Sequence, residues 1–187
     1  MCVVWFSLAG CSKHEQQEPE TTDLAYYHLH GLWARNAAQV WVVGDDGDIR
    51  HSTDGGEHWR RQESGTEAQL ISVYGSGLQI WAVGDSGSIL HSVDGGEHWQ
   101  SQTSGTTQTL TAICGDGARL WAVGTEFTIL YSADGGLNWQ PQTRAAAPHL
   151  LAVCSVGSQL WTVGYDSVIL HSADGGRTWH SQRAAAA

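Results

Sequence analysis

The sequence predicts an all-β fold, a β-propeller of four-stranded antiparallel blades, from three observations. A forty-residue unit recurs four times, each unit reads as four short strands, and an excess of tryptophan and glycine falls on fixed positions of the repeat. Trp41, Trp81, Trp121 and Trp161 share that step, as do Gly44, Gly84, Gly124 and Gly164. The chain has 187 residues with 10 Trp and 23 Gly beside 2 Phe and 5 Tyr, and eight of the Trp occupy two repeat positions. Self-similarity at a fixed period of this length is the signature of solenoids and propellers.

Composition narrows the class further. Charged residues make up 15% and hydrophobic residues 41%, which excludes a disordered chain and a membrane bundle. The length is enough for a sizeable core. A net charge of −10 offers no attraction to phosphates and argues against nucleic acid as a partner.

Residues 1–10 read as a targeting signal. Val3 to Ala9 is an apolar run too short to span a bilayer, which needs about 20 such residues. The string Leu8-Ala9-Gly10-Cys11 resembles a bacterial lipobox, which implies cleavage before Cys11 and lipidation of that cysteine. Ser12 after it implies sorting to the outer membrane of a Gram-negative host. The run lacks a preceding Lys or Arg, a departure that points to a true start elsewhere. Residues 11–28 follow as an acidic tether: Glu15, Glu18, Glu20 and Asp23, with Gln16, Gln17 and Pro19, have nothing to bury.

The repeats fill residues 29–187, as units 29–69, 70–109, 110–149 and 150–187. In the second unit, Leu70–Tyr74 is a first strand closed by Gly75-Ser76-Gly77, and Gln79–Gly84 a second closed by Asp85-Ser86-Gly87. Ser88–Ser92 is a third and Trp99–Thr103 a fourth, with Asp94-Gly95-Gly96 between them. No stretch shows helical periodicity, so the four strands form one propeller blade.

Between the third and fourth strands runs Ser-x-Asp-x-Gly-x-x-Trp, complete in all four units. Its members are Ser52, Asp54, Gly56 and Trp59; Ser92, Asp94, Gly96 and Trp99; Ser132, Asp134, Gly136 and Trp139; and Ser172, Asp174, Gly176 and Trp179. An Asp carboxylate accepts from backbone N–H groups across its turn, Gly supplies positive φ, and the Trp is expected to cover its own hairpin. An Asp repeated once per blade sits at the periphery, so these carboxylates read as structural. The eight repeat Trp are expected in the core.

The motif is identified as the Asp-box, the bacterial neuraminidase repeat. With the flanking Trp-Ala-Val-Gly and Ile-Leu-His-Ser stretches, residues 29–183 resemble the photosystem II assembly and stability factor-like propellers. That family implies a thylakoid-lumen or periplasmic assembly factor, in a propeller with more blades than four. The resemblance therefore implies a non-catalytic cell-envelope scaffold that binds a protein partner, with no cofactor and no metal.

The alternative is a carbohydrate-binding or sialidase-like glycoside-hydrolase propeller. Sialidase resemblance implies an Arg-Ile-Pro motif, yet Pro stands only at 19, 141 and 148. A glycosidase needs two carboxylates at fixed separation, whereas Asp45, Asp46, Asp48, Asp85, Asp116, Glu126 and Asp166 read mostly as solvated loop residues. His51, His91 and His171 share one blade position, and His58 and His98 another, so they do not converge on one ion. Cys114 and Cys154 fall on first strands, in an apolar slot shared with Tyr74 and Trp33. Two buried free thiols are expected there, a disulfide requiring Cα atoms about 4.4–6.8 Å apart. Arg50, Arg60 and Arg61 form the basic cluster, a candidate surface for an acidic partner.

An open row of four blades exposes apolar surface at its ends. A tight four-bladed ring, a two-fold dimer of eight blades, and a longer array each resolve this. Arg183-Ala184-Ala185-Ala186-Ala187 echoes Arg144-Ala145-Ala146-Ala147 and points first to an arc cut at a unit boundary, then to the homodimer.

Overall fold

The computed structural model describes residues 28–142 and 149–182. The signal segment, Cys11 and the tether to residue 27 lie outside the described residues. Four sheets follow one another along the chain. The first blade comprises β1 (Leu29–Ala34), β2 (Val40–Gly44), β3 (Ile49–Ser52) and β4 (Arg60–Gln62). The second comprises β5 (Leu70–Ser76), β6 (Gln79–Gly84), β7 (Ile89–Ser92) and β8 (Gln100–Gln102). The third comprises β9 (Leu110–Gly115), β10 (Leu120–Gly124), β11 (Ile129–Ser132) and β12 (Gln140–Pro141). The fourth comprises β13 (Leu150–Val156), β14 (Gln159–Gly164), β15 (Ile169–Ser172) and β16 (His180–Ser181). Within each sheet, strands adjacent in sequence pair antiparallel, while β1, β5, β9 and β13 meet side by side as the inner strands. This is the predicted blade architecture.

Each inner strand is bulged near one end, between Leu29 and Gly31, Leu70 and Ser72, and Leu150 and Ala152, with the matching shift in the third blade between Val123 and Gly124. A bulge increases local twist and bends the strand as it enters the crowded axis. β5 outlasts its expected end at Tyr74, because Gly75 and Ser76 stay in register with Ile80 and Gln79 before Gly77 turns the chain at φ 65°. Gly75 is needed for a second reason: a Cβ there would meet the Trp33 ring of the preceding blade at 2.5 Å.

The core lies between blades. Trp41, Val43 and Ile49 on one face of the first blade pack against Leu70, Val73, Ile80, Ala82 and Leu90 on the second. The second and third blades repeat this through Trp81, Val83 and Ile89 against Leu110, Ile113, Leu120, Ala122 and Leu130. The third and fourth do so through Trp121, Val123 and Ile129 against Leu150, Leu160 and Leu170. Phe127 joins the last seam although its φ is 54°, a left-handed strain set against burial of its ring.

The end blades each keep one face uncovered among the described residues. On the first, Leu29, Leu32 and Trp59 are 47%, 72% and 37% exposed; on the fourth, Val163 is 43% exposed. Two expectations therefore need correction. Trp41, Trp81, Trp121, Trp139 and Trp179 are buried, and Trp99 is half-buried in the seam between the first two blades; Trp161 is only half-buried and Trp59 exposed, since no described blade covers the outer faces. Cys114 and Cys154 are both free thiols, but only Cys114 is partly buried. Its thiol is pushed up to about 12 by burial, while Cys154 sits exposed on the uncovered blade.

Candidate functional site

The Asp-box turns are built identically. Ser52 Oγ donates to Asp54 Oδ1 at 2.7 Å and accepts from Gly56 N at 2.8 Å, and His58 N donates to the same carboxylate oxygen at 3.0 Å. Ser92, Ser132 and Ser172 repeat both bonds at 2.8 Å. The residue four after each Asp adds a side-chain donor: His58, His98, Asn138 and Thr178 reach the second carboxylate oxygen at 2.7, 2.6, 2.7 and 2.6 Å. For Asp94, Asp134 and Asp174 this side-chain bond, and for Asp54 the His58 N–H, is the main cause holding the carboxyl below its usual range. That explains His58 and His98, whose recurrence the sequence left unassigned.

The motif Trp does not close its own hairpin where a preceding blade exists. Trp99, Trp139 and Trp179 donate through Nε1 to Gln62, Gln102 and Gln142 Oε1 at 3.3, 3.1 and 3.2 Å, each in the blade before. Trp59, in the first blade, donates instead to Gly56 O of its own turn at 3.0 Å. The Asp-box thus fastens one blade to the previous one.

The second histidine set packs rather than ligates. His51, His91 and His171 stack on Trp41, Trp81 and Trp161 at ring separations of 4.0, 4.8 and 4.9 Å, and Tyr131 takes the same place beside Trp121. His91 Nε2 meets Gln79 Oε1 at 2.6 Å, and its Nδ1 meets Gln102 Nε2 at 3.2 Å. Since Gln102 Oε1 also receives Trp139, one chain of bonds runs across the seam. Burial holds His91 below the usual histidine range, and burial followed by the Arg60 charge does the same for His51.

The three arginines of the basic cluster do not form one open patch. Arg50 replaces the Leu of the other blades, is 9% exposed, and donates through Nε to the buried Asp48 Oδ2 at 2.7 Å. Arg61 lies 3.2 Å from Asp48 Oδ1, and Arg60 reaches Glu97 of the second blade at 2.6 Å. Arg60 and Arg61 keep 60% and 55% of their side chains exposed, so the candidate surface reduces to these two. An open cleft of about 510 Å³ beside Arg61 is lined also by Asp46, Glu63 and Glu67, which offsets its charge.

Asp54, Glu57 and His58 bring potential ligand atoms within 4.8 Å of one another, but all three are exposed and two already serve the turn. Asp45 accepts from Gln69, His30 and the His28 N–H, and these bonds, Gln69 first, lower it to about 2. No helix of the described residues is long and apolar enough to cross a membrane.

Comparison with known proteins places these blades. Residues 109–185 match the model of the family described as Photosynthesis system II assembly factor YCF48. The curated proteins contain no match to the chain. Among solved structures, YCF48 bound to D1 peptide superposes with a TM-score of 0.68 at 20% identity, over 85% of this chain and 55% of that one. YCF48 from Cyanidioschyzon merolae gives 0.67 at 18% identity, over 86% and 57%. The Niastella koreensis GH74 enzyme gives 0.64 at 14% identity, over 82% of this chain and 30% of that one. The chain spans just over half the length of the YCF48 structures it matches. These Asp-box blades are thus similar in fold to YCF48, and over residues 109–185 similar in sequence to its family.

Proposed function

We propose that this chain is a non-catalytic, protein-binding propeller of the cell envelope, acting as an assembly scaffold. The observation that carries this is the match of residues 109–185 to an assembly-factor family. The repeat residues point the same way, because the Asp-box carboxylates are committed to turns and the histidines to stacking. The similar solved structure, YCF48 bound to D1 peptide, supports a peptide segment of a protein as the ligand class. Arg60 and Arg61 are the residues we assign to an acidic segment of the partner.

Fluorescence anisotropy with labelled acidic peptides, and separately with the D1 peptide, tests the reading. Binding that is lost on joint Arg60→Glu and Arg61→Glu substitution is expected; unchanged binding dismisses the arginines, and no binding by the wild type dismisses the peptide class. The proposed anchor is lipid on Cys11, with the propeller on the periplasmic side of the outer membrane. Mass spectrometry of the mature protein checks it, and an intact Met1 on membrane-free protein refutes it.

A carbohydrate-active reading has one observation behind it, the fold shared with GH74 enzymes. Hydrolysis in a fluorogenic glycoside panel, or binding on a glycan array, would favour it over the scaffold.

A further inference from the structure

The bulge in each inner strand re-aims one side chain. The residues at the bulge are His30, Ile71, Thr111 and Leu151, which have no register partner on the second strand of their blade. Thr111 reaches Leu150 O of the following blade at 2.7 Å, and Gly31 lies so close to β5 that a Cβ would meet Ile71 O at 2.7 Å. A second contact recurs at the same end of the seam. The residue before an inner strand meets the turn after the second strand of the preceding blade: Gln69 donates to Asp45 at 2.7 Å, and Thr109 to Asp85 at 3.0 Å. At the first seam the two contacts merge, because the bulge residue there is a histidine.

His30 Nε2 stands 2.8 Å from Asp45 Oδ1 and 3.1 Å from Gln69 Nε2, which itself lies 2.7 Å from the same carboxylate oxygen. With Asp45 ionised, hydrogen bonds cannot serve all three edges of this triangle. His30 Nε2 either donates to Asp45 or accepts from Gln69, so one edge always lacks a proton. A cation serves all three atoms through lone pairs, once the Gln69 amide flips its oxygen inward. Ligand atoms about 2.1 Å from a tetrahedral zinc ion stand about 3.4 Å apart, so the triangle needs to widen by about half an ångström. His30 and Asp45 keep 29% and 23% of their side chains exposed, which leaves an ion a way in. His28 supplies a fourth ligand. Its N–H donates to Asp45 Oδ2 at 3.1 Å, and its exposed ring is centred 6.5 Å from that of His30. That ring makes no hydrogen bond to a described residue and can turn toward the triangle.

We propose that His28, His30, Asp45 and Gln69 hold one divalent ion of the zinc class, clipping the first blade to the second. Two imidazole nitrogens with two oxygens suit zinc and its transition-metal neighbours, whereas calcium and magnesium take oxygen ligands. The repeat histidines offer no such convergence, being spent on stacking and on their own turns. The site lies apart from Arg60 and Arg61 and stands independently of the peptide-binding reading.

Isothermal titration calorimetry with zinc chloride on the full chain tests it. A His58→Asn background, which copies Asn138, removes the exposed group of Asp54, Glu57 and His58. His28→Ala and His30→Ala should each weaken one zinc site by more than about tenfold, the least that loss of even an indirect support to a ligand costs. His98→Asn, in a turn histidine of the second blade, should leave the isotherm unchanged. His28→Ala removes an exposed ring and leaves the strands intact, so it separates lost ligation from lost folding. Zinc should also raise the thermal midpoint of the His58→Asn chain more than that of the same chain with His28→Ala. No zinc binding, or an isotherm that either alanine substitution leaves unaltered, overturns the proposal.

Discussion

Ser92→Ala should destabilise the protein more than Asp94→Ala, although the Asp gives the motif its name. Ser92 is 1% exposed, and its Oγ accepts from Gly96 N at 2.8 Å. Gly96 is buried against the first blade, where Gln62 and Trp41 Nε1 leave no room for a substitute. Removing Oγ orphans that N–H, at about 1–3 kcal/mol for a buried unsatisfied donor. For a chain of this size each kcal/mol moves the midpoint by roughly 2–4 °C, so about 2 kcal/mol lowers Tm by roughly 4–8 °C.

Asp94→Ala acts in a different place. The carboxylate serves the His98 N–H and ring at an exposed turn, where water replaces it; the Ser92 hydroxyl also loses its acceptor but can rotate, and Ser92 keeps its bond to Gly96. Differential scanning calorimetry on both variants, at equal concentration and neutral pH, ranks them. A Ser92→Ala midpoint no lower than that of Asp94→Ala would refute the assignment of the serine as the buried latch.

Three further outcomes follow from the seams. Gly75→Ala drives a Cβ to 2.5 Å from the Trp33 ring and should cost about 1–3 kcal/mol by urea denaturation; a neutral result would mean that Trp33 swings away. Gln102→Ala removes the acceptor of Trp139 Nε1 and the donor to His91, and should cost about 1–3 kcal/mol. A double-mutant cycle with Trp139→Phe should show coupling of about 0.5–3 kcal/mol, and additivity would dismiss the bond. His91 is held below its ordinary value by burial, so the unfolded chain takes the proton first as pH falls. Its contribution is complete above the ordinary value of 6.5 and is lost as pH drops towards the folded-state value. His91→Tyr, which copies Tyr131, should flatten the urea midpoint against pH over that acid range; an unchanged slope rules His91 out.

The blades were legible because a propeller writes its geometry as a period. Trp81, Gly84, Ser92, Asp94 and Trp99 recur at one step, and the β-branched runs between them can bury themselves only as strands. The inside of the Asp-box was legible too, since Ser, Asp and Gly interact within four residues of one another. Strand ends were less so. Gly75 reads as a turn residue by its type, and only the approach of Trp33 from another blade shows that it belongs to β5.

What the sequence did not disclose is carried between repeats. Trp99 finds Gln62 rather than its own hairpin because the sheets stack in one direction, and no local pattern states that direction. Repeat arithmetic likewise treats all copies as equal, which hides the ends of the row. Trp59, Trp161 and Cys154 occupy the same repeat positions as partly or fully buried counterparts, yet differ in exposure because among the described residues no blade packs against their outer faces. The basic cluster failed in a related way: Arg50, Arg60 and Arg61 look like one patch in sequence. Strand alternation and the Asp48 and Glu97 carboxylates divide it into a buried pair and an inter-blade bridge. The chemistry of this protein therefore belongs to its seams.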